Sequence, residues 1–203
     1  MPLRPRHATA SLPTLRTACI LTLFLQAQCG LSADDQQQLR TILRRPIAMV
    51  QGNHVLYVAN RDTGSISVVD AASGVVLNEV VVSSRVDDLA ILPNSRTLLA
   101  VNSESHELIV LQTSRDTDRV PGIRKMRSEE LAKYPVSIVS APDGELASCV
   151  SKWSRRLTVI IASTLSFERT FKRFVDLPFV PLRQCFLNDR FVLVADAHGG
   201  ELA

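Results

Sequence analysis

The only tryptophan of the chain, Trp153, has basic residues on both sides. Lys152 precedes it, and Arg155 and Arg156 follow after one serine. An aromatic ring beside guanidinium groups can stack a planar ligand or anchor a protein partner, and arginine binds carboxylate or phosphate in bidentate fashion. The alternative is that Trp153 packs in the core while the charges are solvated. The sequence favours this alternative, because exposed arginine runs are usually plain surface.

Other residues capable of chemistry do not combine into a catalytic motif. Asp87 and Asp88 are adjacent, and neighbouring residues of a strand point to opposite faces, so both carboxylates cannot address one substrate. The histidines His54, His106 and His198 lack metal-ligand spacing and are predicted to be exposed in loops. The sequence has no Gly-x-Ser-x-Gly, no phosphate-binding Gly-Lys motif and no Cys-x-x-Cys-His. It therefore identifies no catalyst, no metal site and no cofactor in this stretch.

Composition is that of a globular chain. It has 203 residues, of which 46% are hydrophobic, and a formal net charge of +3. Arg4, Arg6 and Arg16 lie in the first 33 residues, where there is no acid, so the remaining chain is neutral. A neutral chain gives no global electrostatic reason to expect nucleic acid as a partner.

The N-terminus has the pattern of a secretory signal peptide at 1–33, followed by a short linker at 34–45. Its arginines precede the apolar stretch 18–25, and small residues come next. That stretch is far shorter than the roughly 20 apolar residues that span a bilayer, and no longer run follows, so no transmembrane segment is expected. We expect cleavage after Ala33, with Cys29 as the alternative, and a periplasmic or extracellular protein. Cys149 and Cys185 would remain, and buried thiols are favoured over a disulfide.

Four segments of the chain repeat the same pattern. Each ends in a small or polar residue, and these recur at intervals of about 42 to 49 residues, the length of a propeller blade. They are Asn60, Asn102, Ser151 and Asp196. A turn pair precedes each segment, and β-branched residues such as Ile66 and Val68 follow it, which is typical of strands.

Every unit is therefore predicted to contain four antiparallel strands joined by turns and loops. The fold class is all-β, an incomplete β-propeller of about three and a half four-stranded blades. Its units are 46–86, 87–134, 135–180 and 181–203. The stretch from Arg115 to Lys133 lengthens the second unit and is predicted to be a solvated loop, with a helical turn capped by Ser128 as the alternative.

The first unit resembles the YVTN family of propeller repeats. The resemblance rests on three features: Tyr57-Val58-Ala59-Asn60, a third strand from Gly64 to Asp70, and the turn Ser73-Gly74. It extends over about 46–203 with increasing divergence. It implies an extracytoplasmic propeller, either a binding or surface protein, a lactonase-like or quinoprotein-like enzyme, or a propeller that precedes a cytochrome.

In a blade whose first strand is innermost, the loop between strands two and three shares an edge with the loop that enters the next blade. This rim is the default binding site. Its inner loops carry Arg44, Arg45, Arg85, Asp87, Asp88, Tyr134 and Arg183. The predicted ligand-binding residues, chosen from the more basic second half of the chain, are Lys152, Trp153, Arg155, Arg156, Arg183 and His198.

The sequence favours a binding or interaction module over an enzyme, with an unknown protein or an anionic small molecule as partner. The alternative is the N-terminal propeller portion of a larger redox enzyme, joined to a c-type cytochrome or peroxidase-like domain that would hold haem. Because propellers close their ring, the chain is expected to be a fragment or one part of an assembly.

Overall fold

The computed structural model describes residues 44–93, 95–114, 121–166, 170–200 and 202–203. The predicted signal peptide and nearly all of the predicted linker lie outside these residues. Within the described part of the chain, no helix is long and apolar enough to cross a membrane.

The described residues form antiparallel sheets in which strands follow one another in chain order. Blade 1 contains β1 (Pro46–Gln51), β2 (Val55–Asn60), β3 (Ser65–Asp70) and β4 (Val76–Val81). Blade 2 contains β5 (Asp88–Ile91), β6 (Thr97–Asn102), β7 (Glu107–Thr113) and β8 (Ile123–Glu130). Blade 3 contains β9 (Pro135–Ser140), β10 (Leu146–Ser151), β11 (Arg156–Ile161) and β12 (Lys172–Asp176), with a short 3-10 helix Ala162–Ser166 before β12. Blade 4 contains β13 (Pro181–Phe186) and β14 (Val192–Asp196).

Alternation along the strands places apolar side chains on both faces of each middle blade. In β6, Leu98 and Ala100 pack towards blade 1, whereas Leu99 and Val101 pack towards blade 3. A smaller cluster that includes Val150 joins blades 3 and 4. Two-residue periodicity explains this division, because successive side chains of a strand point to opposite faces. The prediction of an incomplete, all-β propeller is confirmed.

The repeated small or polar residues end the second strand of every blade, and two of them hold neighbouring blades together. The Asn102 side-chain amide donates to Ser83 Oγ at 2.8 Å and to Ser84 Oγ at 3.1 Å, both in the connector from blade 1. Ser151 Oγ donates to the carbonyl of Ala132, in the connector from blade 2, at 3.0 Å. In blades 2 and 3 the repeat position therefore binds the preceding connector, whereas Asn60 donates to Ser65 and Ser67 within blade 1.

The stretch predicted as a loop or a helical turn contains a strand instead. Residues from Ile123 onwards form β8, the outer strand of blade 2, and Ser128 lies opposite Ile109. The outer strand has a solvated edge, so it tolerates a charged sequence that lacks the apolar signal of a strand. Residues 115–120 lie outside the described part of the chain.

The two remaining cysteines are both free, and they differ in exposure. Cys149 is buried, as predicted, and burial raises the pKa of its thiol. Cys185 is exposed, so the prediction of a buried thiol is wrong at that position. It lies on β13, which pairs only with β14 in the described chain.

Candidate binding rim

The turns between second and third strands lie at the same edge of the blades as the interblade connectors, and together they form the rim. Backbone hydrogen bonds join turn to connector repeatedly. Leu131 N donates to His106 O at 2.7 Å, and Leu177 N donates to Arg155 O at 2.7 Å. The corresponding bond in blade 1 joins Val82 N to Gly64 O at 3.0 Å. The shared edge predicted from the blade topology is therefore present.

The fourth residue of each rim turn adopts a left-handed backbone conformation. Blades 1 and 4 have glycine there, Gly64 at φ 61° and Gly200 at φ 72°. Blades 2 and 3 have His106 at φ 61° and Arg155 at φ 49°. Side chains other than glycine are disfavoured in this conformation, so the latter two turns carry strain of about 1–3 kcal/mol each.

Blades 1 and 2 contribute a rim segment whose charges neutralise one another. We call it the paired rim; it consists of Arg61, Arg85, Asp87 and Glu104. The buried Asp87 carboxylate accepts from Arg61 Nε at 3.0 Å, Arg85 Nε at 2.8 Å and the Ser103 amide at 2.8 Å.

The second acid of the paired rim completes the pairing. Arg85 also donates to Glu104 at 2.9 Å. Burial opposes the charge of Arg85, but its bonds to Asp87 and Glu104 outweigh burial and hold its pKa above the usual value. Each of the four charged side chains of the paired rim is therefore paired with an opposite charge.

Blade 3 contributes an aromatic stack. The rings of Tyr134 and Trp153 lie 4.2 Å apart between centroids with an interplanar angle of 16°. Trp153 remains 66% exposed, so the prediction that it packs in the interblade core is wrong. It lies in a turn beyond the strand ends, where the core between blades 3 and 4 is already filled by residues such as Val150 and Leu157.

Three cations flank this stack without acidic partners. Lys133 precedes Tyr134, and Lys152 and Arg155 belong to the turn that holds Trp153. None of the three has an ion-pair partner among the described residues. We call Lys133, Tyr134, Lys152, Trp153 and Arg155 the aromatic shelf. Sequence reasoning had placed Tyr134 on the inner rim but had missed Lys133.

The other predicted ligand-binding residues lie apart from the shelf. Arg156 donates to Asp176 on β12 at 2.6 Å, and its guanidinium lies 5.9 Å from the centre of the Phe174 ring. Arg183 lies on β13, 3.8 Å from Asp88. His198 belongs to the rim turn of blade 4. The structure thus brings together Lys152, Trp153 and Arg155 from the predicted set.

Asp88 joins the inner strands rather than the rim. One of its carboxylate oxygens accepts from the Ile138 amide of β9 at 2.9 Å, and the other accepts from its neighbour Leu89 at 3.0 Å. Burial raises the pKa of Asp88, against the opposing effect of these amides and of Arg183. Asp87 and Asp88 therefore have separate partners, consistent with their opposite directions along the strand.

A groove of about 600 Å³ begins where the shelf ends, between the outer parts of blades 2 and 3. Lys133 and Ser154 line it at the shelf end, and Phe174 of β12 lines it further out. The remaining lining residues are Glu130, Leu131, Ala132, Arg156 and Lys172. Because Ser154 follows Trp153 and Lys133 precedes Tyr134, the shelf and the groove form one continuous surface.

Lys172, beside the groove, is held in an ion-pair network. Glu129 of β8 contacts Lys172 at 3.2 Å, Arg127 at 2.9 Å and the Thr170 hydroxyl. Burial disfavours the charge of Glu129, but the bonds to Thr170 and Lys172 outweigh it and hold its pKa below the usual value. The positive charge of Lys172 is therefore paired with Glu129 within the fold.

His106, the histidine in the rim turn of blade 2, contacts the backbone at two places. His106 Nδ1 lies 2.8 Å from Ser103 O and 3.2 Å from the amide nitrogen of Tyr134. It therefore connects its own turn to the residue that supports Trp153. Among the described residues no group of three or more histidines, cysteines or acids could hold a metal ion.

No protein-family model matches the sequence, and no curated protein matches it. Solved structures do match. The chain is similar to hydrazine synthase of Kuenenia stuttgartiensis, at 18% identity and a TM-score of 0.65, over 77% of this chain and 44% of that one. It is also similar to the Cps50 (Swd1) β-propeller domain of Myceliophteria thermophila, at 10% identity and a TM-score of 0.66, over 86% and 55%.

A third similar structure is virginiamycin B lyase of Staphylococcus aureus, at 12% identity and a TM-score of 0.56, over 78% of this chain and 54% of that one. The chain thus spans about half of the length of these proteins. At such identities the likeness establishes the propeller fold and nothing of activity.

Proposed function

We propose that this chain is a binding module of the β-propeller class, and that the aromatic shelf takes up an anionic group carried on a flat or apolar body. The observation that carries the proposal is the exposed Trp153, stacked on Tyr134 and flanked by Lys133, Lys152 and Arg155. The partner is a protein or an anionic small molecule.

Two physical arguments support binding at the shelf. Exposed tryptophan and arginine beside each other are the residue types that dominate binding energy at interfaces. A cation without an acidic partner also keeps its full attraction for an incoming anion, whereas Arg61 and Arg85 already donate to Asp87. The shelf therefore offers both an apolar platform and an unneutralised positive field.

We propose binding at the shelf and assign no catalytic step to the acids and the histidine of the rim. The buried carboxylates of Asp87 and Asp88 are occupied by arginines and backbone amides. The His106 ring contacts backbone atoms. These groups hold the blades and turns together, which is a structural task.

We further propose that the chain belongs to the YVTN-repeat family and is exported to the periplasm or the extracellular space. Family membership is supported by Tyr57-Val58-Ala59-Asn60, which falls at the end of a second strand. Export is supported by the basic and apolar pattern of 1–33. The redox alternative, with haem in a downstream domain, rests on the family resemblance alone; Cys-x-x-Cys-His codons further along the reading frame would favour it.

Trimesate, a planar aromatic tricarboxylate, is a suitable probe for the shelf. Calorimetry should detect binding at low ionic strength, with affinity that falls steeply between about 0.05 and 0.5 M salt because exposed charges become screened. Trp153→Ala combined with Arg155→Ala should weaken it about tenfold or more without unfolding the chain.

The matched control is Arg190→Ala, which removes an exposed arginine from the turn at the opposite edge of blade 4. It should leave trimesate affinity unchanged. Equal losses in both variants, or no binding by the parent protein at low salt, would contradict the proposed function.

A further inference from the structure

The groove beside the shelf differs from it in chemistry. Lys133 belongs to both surfaces, but the other groove cations, Arg156 and Lys172, are paired with Asp176 and Glu129, whereas Lys152 and Arg155 of the shelf have no acidic partner among the described residues. What the groove adds is apolar surface, because Phe174 is 52% exposed there. One continuous surface therefore offers unpaired cations at the shelf and an exposed aromatic ring, Phe174, among charged residues in the groove.

The outer strand beside the groove is also unpartnered. Among the described residues β12 pairs only with β11, so its other edge presents backbone amides and carbonyls. An edge strand can bind an extended peptide through main-chain hydrogen bonds, while alternate side chains of the peptide enter neighbouring pockets. A small anion can use the shelf cations but neither the groove nor the strand edge.

We propose that the partner of the shelf is an extended acidic peptide segment of another protein, with a bulky apolar side chain placed so that it enters the groove. This inference rests on the proposed function and specifies its ligand. Carboxylates of the segment meet Lys133, Lys152 and Arg155, and the apolar side chain packs on Phe174. The charge of the shelf complements the carboxylates of this segment, and the exposed Phe174 ring complements its apolar side chain.

The test uses the full chain and a set of synthetic peptides of glutamate and serine, with one phenylalanine placed at each position in turn. Each peptide has a partner in which alanine replaces that phenylalanine. At the best position, phenylalanine should strengthen binding about tenfold over alanine. With Phe174→Ala this preference should disappear, which a double-mutant cycle measures as coupling between the two rings.

Phe171→Ala is the matched control. Phe171 is 70% exposed and lies next to β12, but it does not line the groove. The variant should keep the tenfold preference. Loss of the preference in both variants would overturn the inference, because the effect would then come from the outer edge of blade 3 in general.

Trimesate separates the inference from the proposed function on which it rests. If trimesate binds and depends on Trp153 and Arg155, while no peptide shows a preference that depends on Phe174, the shelf binds small anions and the inference is overturned. If trimesate fails to bind, the proposed function fails, whatever the peptides do. If both dependences are found, peptide recognition is supported.

Discussion

The paired rim and the aromatic shelf are built on the same backbone turn and yet present opposite surfaces. In blades 1 and 2 the rim arginines donate to the buried Asp87, and Arg85 also reaches Glu104. In blade 3 the cations Lys133, Lys152 and Arg155 neighbour the stacked rings of Tyr134 and Trp153 in sequence and have no acidic partner in the described chain. The repeat therefore specifies the backbone of the rim, whereas single residues determine whether the charged side chains of the rim pair with one another.

One position accounts for most of this difference. The residue before the inner strand is Asp87 in blade 2 and Tyr134 in blade 3. In blade 2 the first amide of the rim turn donates to the Asp87 side chain at 2.8 Å. In blade 3 the equivalent amide, from Lys152, donates to the Tyr134 backbone carbonyl at 2.8 Å. A backbone acceptor leaves the Tyr134 side chain free to support Trp153.

The largest expected effect lies at the blade 1 turn. Gly64→Ala should lower the free energy of unfolding by about 4 kcal/mol, because the added Cβ would lie 1.9 Å from the Ser83 carbonyl oxygen. Gly74→Ala is the control: it has a similar φ of 71° but nothing within 4 Å, and should cost about 1 kcal/mol. Urea unfolding measures both, and equal losses would show that the turn is not closed against the connector.

Next in size is the loss of the carboxylate that closes the paired rim. Asp87→Ala should cost about 3 kcal/mol, because two guanidiniums and the Ser103 amide lose their shared acceptor. Asp62→Ala, which removes an exposed carboxylate 4.0 Å from Arg45, should cost less than about 0.5 kcal/mol. If the two variants unfold alike, the paired rim does not hold blades 1 and 2 together.

A smaller effect, of opposite sign, is expected on the shelf. Arg155→Gly should raise the free energy of unfolding by about 1 kcal/mol, because glycine adopts the left-handed conformation without strain. Arg155→Ala removes the same charge but keeps the strain, so it should weaken trimesate binding equally with no gain in stability. A gain in both variants would mean that charge, and not backbone conformation, limits stability there.

The strands were predictable because their evidence is local. Alternating apolar residues and regularly spaced turn pairs identify β2, β6 and β10, and the spacing of Asn60 and Asn102 locates the strand ends. A fourth strand was predicted for blade 2, but its place in the charged stretch was not, since the pairing of β8 with β7 depends on its place at the edge of a blade. A sequence window carries no information about that place.

The candidate site was predictable only in part. Lys152, Trp153 and Arg155 share one turn, so their proximity follows from sequence. Lys133 lies in the interblade connector, next to Tyr134. Arg156 instead donates a hydrogen bond to Asp176 on the next strand. Both depend on tertiary packing. The exposure of Trp153 does not follow from the neighbouring arginines, because it depends on the position of this residue in a turn beyond the strand ends.

The most direct test of the central claim uses the single tryptophan of the chain, which lies on the shelf. Iodide and caesium ions quench tryptophan fluorescence on contact, and an unneutralised positive field concentrates the first and repels the second. Because iodide is intrinsically the stronger quencher, each ion is compared with its quenching of the neutral reference N-acetyltryptophanamide. At about 0.05 M ionic strength, where screening is weak, the ratio of iodide to caesium quenching should be higher for Trp153 than for the reference. Combined replacement of Lys133, Lys152 and Arg155 by alanine should lower the ratio to that of the reference. A ratio equal to the reference in the parent protein would contradict the account.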